Sequence, residues 1–263
     1  MSSEELARGI RAALAELKQA RRTPAPLDVA EEAAAAQACV EAQMEGLAGL
    51  GMPNADLRNV VALQLLRASL DYARALLYLL ASHPTDMAAV ALGMHRPQTE
   101  LFLRAVFVQF IADGEQLEDF LQEDRGPRRL NPRGKWEAIK FKDLALEVEA
   151  TIARLGHDDG PQKLARTLSN VWDPLCGLVH GGRAVQALYR DEKGQVGAHV
   201  SAEVLFQTTV NTVATTNLCV IAALIASGVG AFEENHTVTR AGLEMERYLE
   251  GRAQRMACLK LKP

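Results

Sequence analysis

The stretch from Leu205 to Phe232 contains no charged residue, and this limits the ways in which the chain can fold. Its first half carries several threonine, asparagine and glutamine side chains. Its apolar part, residues 218–231, spans only 14 residues, including two glycines and a serine. A helix that crosses a bilayer needs about 20 apolar residues. We therefore expect a core helix of a globular protein, and no membrane partner.

The rest of the sequence is typical of closely packed helices. Aromatic residues make up only 5% of the 263 residues, whereas alanine and leucine are abundant, a composition that favours helices over β-sheet. Apolar side chains recur at helical spacing through most of the chain. We predict an all-α fold, a single multi-helix bundle domain over residues 1–263. Its parts are N-terminal helices in 1–55, a core bundle in 56–228 and a C-terminal helix in 229–263.

Charge and cysteine content narrow the functional classes. A net charge of −4 gives no overall attraction to nucleic acid or to an anionic membrane, so a polyanion would have to meet a local basic patch. The four cysteines are far apart and form no C-x-x-C motif, which indicates a reducing compartment. The N-terminus lacks the basic-then-apolar order of a signal peptide, so we expect a cytoplasmic protein. Common nucleotide, zinc and hydrolase signatures are missing, and we predict no cofactor and no metal site.

A charged stripe occurs in the apolar segment 96–111, and it is the first candidate for chemistry. Arg96, Glu100 and Arg104 follow one another at four-residue spacing, which places them along one side of a helix. Buried charges are tolerated when they are paired. The stripe either lines a cleft, where an arginine binds phosphate or another anion, or holds the helix in register through its own ion pairs.

His180 is the second candidate, at the end of a predicted helix that Gly181 and Gly182 terminate. The helix dipole favours a cation at this end, which suits a histidine that takes up and releases a proton. General acid–base catalysis is one interpretation. A plain structural role at the end of the helix is the other.

The third feature is a basic segment with interleaved aromatic residues, which could contact an RNA backbone and stack a base. Six acidic residues between positions 113 and 124 precede it, and mutual neutralisation is the alternative. The candidate RNA-binding residues are Arg128, Arg129, Arg133, Lys135 and Trp136.

At the first two elements the sequence resembles a group of uncharacterised bacterial all-helical families that are distantly related to HEPN domains. The resemblance covers roughly residues 60–228 and is carried by Arg96-Pro-Gln-Thr-Glu100, by Trp172 and by His180-Gly-Gly. It implies an HEPN-like core. It also implies a metal-independent endoribonuclease of a toxin or antiphage defence system, in which an arginine and a histidine converge on the scissile phosphate, often across a homodimer.

One departure from the HEPN pattern is important. Those enzymes usually carry an arginine followed within a few residues by the histidine, whereas the nearest arginine before His180 is Arg166, with 13 residues between them. Either Arg96 or Arg104 joins His180 from a separate helix, or the chain is a non-catalytic helical binding or regulatory module with a protein partner. We expect a homodimer in either case.

Overall fold

A computed structural model describes residues 23–48, 56–122, 126–155, 163–190, 196–197, 199–228 and 236–259. Helices account for nearly all of its regular structure, so the predicted all-α class is confirmed. The helix expected near the N-terminus, at residues 2–21, lies outside the described residues. The division of the chain into a single domain stays a prediction.

The described part contains nine α-helices, one π-helix and two short strands. The α-helices are α1 (Pro26–Glu45), α2 (Leu57–Ser82), α3 (Ala88–Val106), α4 (Gly114–Gln122), α5 (Phe141–Arg154), α6 (Lys163–Val179), α7 (Arg183–Leu188), α8 (Ala202–Ala226) and α9 (His236–Ala257). The π-helix, Phe107–Ile111, extends α3. The strands β1 (Arg128–Leu130) and β2 (Trp136–Ala138) form an antiparallel hairpin.

Helices α2 and α8 join two buried apolar clusters. Leu66 and Leu70 of α2 pack in one cluster with residues of α3 and α5, while Leu76 and Leu77 belong to the other, with residues of α1 and α9. By length and composition α8 is the one described helix that could cross a membrane, but 61% of its most apolar window is buried inside the protein. Its threonines are accommodated there because their hydroxyls donate to backbone carbonyls one turn earlier, as Thr208 and Thr209 do at 2.8 Å.

The position of Pro97 predicts two helices here, a short one over residues 86–94 and a second one that begins at Pro97. This prediction is wrong, because α3 is continuous and contains Pro97. A proline inside a helix costs about 3 kcal/mol. Buried hydrogen bonds on either side offset this cost, because Gln98 contacts His95 at 3.0 Å and reaches the carbonyl of Thr212 in α8 at 3.1 Å.

The helical spacing of apolar residues after the loop at 125–135 predicts a helix from about residue 136 to 155, but residues 136–138 pair with residues 128–130 as strand β2. Asn131 closes the turn, since its side-chain oxygen accepts hydrogen bonds from the backbone N–H groups of Arg133 and Lys135 at 2.9 and 3.0 Å. Gly134 supplies the positive φ of 69° that this turn needs. A turn built on a single asparagine side chain overrides the helical periodicity that follows it.

Glu32 connects the first and last described helices, and we expect its replacement to destabilise the fold. Its fully buried carboxylate accepts hydrogen bonds from the Tyr248 hydroxyl at 2.6 Å and from Arg255 Nε at 2.7 Å, and Arg252 Nε lies 3.3 Å away. Glu32→Gln leaves these partners without their anion and should lower the free energy of unfolding by roughly 3 kcal/mol, measured by urea denaturation.

The matched control is Glu45→Gln. Glu45 pairs with Arg240 at 3.5 Å between the same two helices, but both side chains are more than half exposed. Its replacement should cost less than about 1 kcal/mol. An equal loss of unfolding free energy in the two variants would show that the burial of Glu32 does not make its contacts more stabilising than an exposed ion pair.

His95 should make the fold sensitive to acid. Burial lowers the pKa of His95 below the ordinary 6.5, and its Nε2 has no hydrogen-bond partner among the described residues. The unfolded chain then binds this proton more readily than the folded chain. Stability should therefore be constant above about pH 6.5 and fall by up to about 1.4 kcal/mol per pH unit below it. Urea denaturation between pH 7 and pH 5 measures this slope. The slope should be shallower in His95→Gln, and an unchanged slope would contradict the assignment to His95.

Candidate functional site

The charged stripe of α3 is a row of ion pairs at the protein surface. Arg96 Nε lies 3.8 Å from Glu100 Oε2, and Arg104 Nη2 pairs with Glu100 Oε1. Their side chains are 17%, 29% and 31% exposed for Arg96, Glu100 and Arg104, so the row is half-buried and open to solvent. One carboxylate thus lies between two guanidinium groups, and one positive charge is left over.

His180 lies immediately after the last residue of α6 and is exposed. Its backbone N–H still donates to the carbonyl of Cys176, and Gly181 then adopts a positive φ of 70°. Gly182 returns a hydrogen bond to the carbonyl of Gly177 at 2.8 Å, which closes the end of the helix. The Gly-Gly pair therefore stops α6 at a fixed point and leaves the His180 imidazole outside it.

Arg96 and His180 meet across the two helices. Arg96 Nη1 is 2.9 Å from His180 Nε2, although 84 positions separate the two residues in the chain. A guanidinium can only donate, so Nε2 accepts and the neutral imidazole carries its proton on Nδ1. Of the two arginines expected to join His180 from another helix, the structure brings Arg96 into hydrogen-bond contact.

Trp172 and Phe141 hold this pair in place. The Arg96 guanidinium carbon lies 5.1 Å from the centre of the Trp172 ring. Phe141, at the start of α5, stacks on the same indole with an interplanar angle of 11°. A cation beside an aromatic face is stabilised by the ring quadrupole. Sequence reasoning used Trp172 only as part of a family resemblance and Phe141 only as one aromatic of the basic segment.

The candidate RNA-binding residues on the hairpin fall into two groups. Arg128 contacts Asp119 at 3.1 Å, which agrees with the expected neutralisation by the acidic residues at 113–124, whereas Arg129 contacts Glu147 of α5 at 2.7 Å. Arg133 and Lys135 are exposed at the turn, and no ion pair of theirs is found in the described part of the chain. Trp136 lies beneath Arg128, whose guanidinium carbon is 6.0 Å from the ring centre. The hairpin is joined to the Arg96–His180 pair through Phe141, which follows β2 by three residues.

The chemistry open to this site follows from its groups. The Arg96 guanidinium can donate to a phosphate oxygen, and the His180 imidazole has a ring nitrogen that can accept a proton. Within the described ranges, no cluster of three or more histidine, cysteine, aspartate or glutamate side chains could hold a metal ion. The residues present are suited to binding an anion and moving a proton beside it.

A double-mutant cycle measures whether Arg96 and His180 interact in solution. Arg96→Ala, His180→Ala and the double variant should give a coupling energy of about 0.5–1.5 kcal/mol in unfolding experiments, because each single change already removes the same hydrogen bond. Arg67→Ala is the control, since Arg67 bonds to Asp71 on its own helix at 3.0 Å. Its effect should add to that of His180→Ala within about 0.5 kcal/mol. If the changes in unfolding free energy are additive in both cycles, the contact between Arg96 and His180 does not stabilise the protein.

Comparison with known proteins gives a family but no activity. No curated protein and no solved structure matches the chain significantly. The sequence model of one family, described as a family of unknown function (DUF6988), matches residues 66–241. This span includes α3, α6 and α8, and therefore Arg96, Trp172 and His180. The chain belongs to the DUF6988 family, whose function is unknown.

Proposed function

We propose that the chain is an HEPN-like, metal-independent endoribonuclease. We place it in the bacterial cytoplasm, as the homodimeric effector of a toxin or antiphage defence system. The observation that carries the proposal is the 2.9 Å contact between Arg96 and His180. An arginine and a histidine are the pair that the resemblance implies, and the local motif that usually supplies both is missing. Helix packing provides here what one short sequence motif provides in HEPN enzymes.

The reaction proposed is attack of a ribose 2′-oxygen on the adjacent phosphorus. His180 Nε2 accepts the 2′-hydroxyl proton once the substrate displaces Arg96 from it. The 2′-oxygen forms a bond to phosphorus as the bond to the 5′-oxygen breaks, leaving a 2′,3′-cyclic phosphate. The leaving 5′-oxygen takes a proton from water and becomes a 5′-hydroxyl, and His180 releases the 2′-hydroxyl proton to the resulting hydroxide, so that no net proton is gained or lost.

The remaining site residues act on the charge of the phosphate. The Arg96 guanidinium donates to the non-bridging oxygens, on which negative charge increases in the transition state. Arg104 adds a second positive charge on the same side of α3. Glu100 contacts both guanidinium groups and keeps them oriented on this side of α3.

A non-catalytic binding module is the second candidate function, and one observation favours it. Every charge of the stripe already has a partner within the protein, since Glu100 pairs with both arginines and Arg96 also contacts His180. Ion pairs of this kind are suited to fixing α3 against α6 without any catalytic role. A protein partner would then bind elsewhere on the surface.

RNA cleavage in EDTA distinguishes these two functions. Wild-type protein should cleave a single-stranded RNA and leave 2′,3′-cyclic phosphate ends, detected by mass spectrometry of the fragments. His180→Ala should lower the rate by about 10²–10⁴-fold, because it removes the proton acceptor. Arg96→Lys retains the charge but not the planar donor set, and it should also lose activity.

The control is His83→Ala, which removes an exposed histidine at the end of α2 and should leave the rate unchanged. All variants are checked for an unaltered melting temperature. If folded wild-type protein leaves RNA intact with and without added divalent cations, the ribonuclease proposal fails and the binding module is favoured.

A further inference from the structure

Gly93 lies in the interior of α3, where neither packing nor backbone conformation requires a glycine. A glycine inside a helix costs about 1 kcal/mol relative to alanine. A Cβ atom at this position would meet nothing within 4 Å outside the local helix backbone, and Gly93 is not among the glycines with positive φ. What the missing side chain provides is empty space.

That space is a surface pocket of about 560 Å³. Val90 and Gly93 of α3 form one wall and Val179, Val185 and Tyr189 form the other. The side chains of Val90 and Val179 are 44% and 52% exposed, which is unusual for two branched aliphatic residues facing the same cavity. A pocket of a few hundred Å³ with mostly apolar walls has the dimensions of a small-molecule or nucleotide site.

Both walls of the pocket lead directly to the candidate site. Gly93 precedes Arg96 by three residues, about one turn of the same helix, and Val179 is the neighbour of His180. Pro97 has no N–H group, so the carbonyl of Gly93 cannot receive its usual helical hydrogen bond.

We propose that this pocket binds the nucleobase next to the phosphate held by Arg96 and His180. The proposal rests on the proposed function, because it assumes that the neighbouring site binds RNA. The aliphatic walls and the Tyr189 ring cover the faces of the base. A second copy of this chain is a poorer occupant, since the apolar lining is much smaller than the roughly 800 Å² that each partner buries in a stable interface.

Gly93 also provides the means of testing the pocket. Gly93→Trp fills it, and Gly242→Trp is the matched control, because it adds the same side chain to a glycine of α9 that also has nothing within 4 Å of an added Cβ. Tryptophan favours a helix more than glycine does, so neither variant should lower the melting temperature. The probes are fluorescein-labelled 2′-O-methyl tetranucleotides of A, G, C and U, which the proposed reaction cannot cleave because they have no free 2′-hydroxyl.

Fluorescence anisotropy should show that both wild-type protein and Gly242→Trp bind the four probes with different affinities. Gly93→Trp should bind the preferred probe at least tenfold more weakly, and the differences among the four bases should disappear. Equal binding of all four probes by wild-type protein, or an unchanged preference in Gly93→Trp, overturns the proposal. So does a failure of wild-type protein to bind any probe.

Two further measurements separate this inference from the ribonuclease proposal. Base-dependent binding without RNA cleavage would support the nucleobase pocket and contradict the ribonuclease proposal. Cleavage without a base preference would support the ribonuclease proposal and contradict the nucleobase pocket. Sedimentation analysis of wild-type protein and Gly93→Trp tests whether a second copy of the chain occupies the pocket instead. Loss of a dimer in Gly93→Trp together with unchanged probe binding would assign the pocket to a second copy of the chain and overturn the proposal.

Discussion

The buried side chain of Gln98 fixes the rotation of α3, and the candidate site depends on that rotation. Its backbone carbonyl accepts from Ser69 Oγ of α2 at 2.7 Å, and its amide donates to the carbonyl of Thr212 in α8. The residue is fully buried, so a turn of α3 about its axis would leave these polar groups unsatisfied at a cost of about 1–3 kcal/mol each. Arg96 and Glu100 lie two residues either side, about 200° around the helix, and therefore face away from the core.

The second half of the site comes from α6, and aromatic contacts determine its position. Trp172 lies between Arg96 and Phe141, so three helices share a single indole ring. Arg96 reaches His180 while its guanidinium is also near Glu100 and the ring, which restricts its conformations before any ligand arrives. The two arginines and Glu100 leave one net positive charge beside the His180 imidazole.

The sequence predicted the helical class and the stripe well, and the contacts between distant elements poorly. Arg96, Glu100 and Arg104 could be placed together because four-residue spacing is a local property of a helix. The contact with His180 could only be offered as one of two options, since no local rule relates residues 84 positions apart. The hairpin was missed because Trp136–Ala138 reads equally well as a helix start, and the deciding contribution is the turn at Asn131. The role of Trp172 depends on Phe141, which belongs to another helix.

Helix α3 contains Gly93 and Pro97, two residue types that are unfavourable in the interior of a helix. The two residues are one turn apart and lie on the same side of α3. Gly93 and Pro97 each destabilise a helix interior, yet α3 runs through both because Gln98 and its neighbours hold it against α2 and α8. Departures from local preference that the surrounding structure has to compensate are concentrated at functional sites. The glycine opens a pocket, the proline leaves a carbonyl without its helical donor, and Arg96 lies between them beside His180. The packing of α3 against the core therefore compensates for its unfavourable sequence. It allows the helix to remain intact where the candidate site lies.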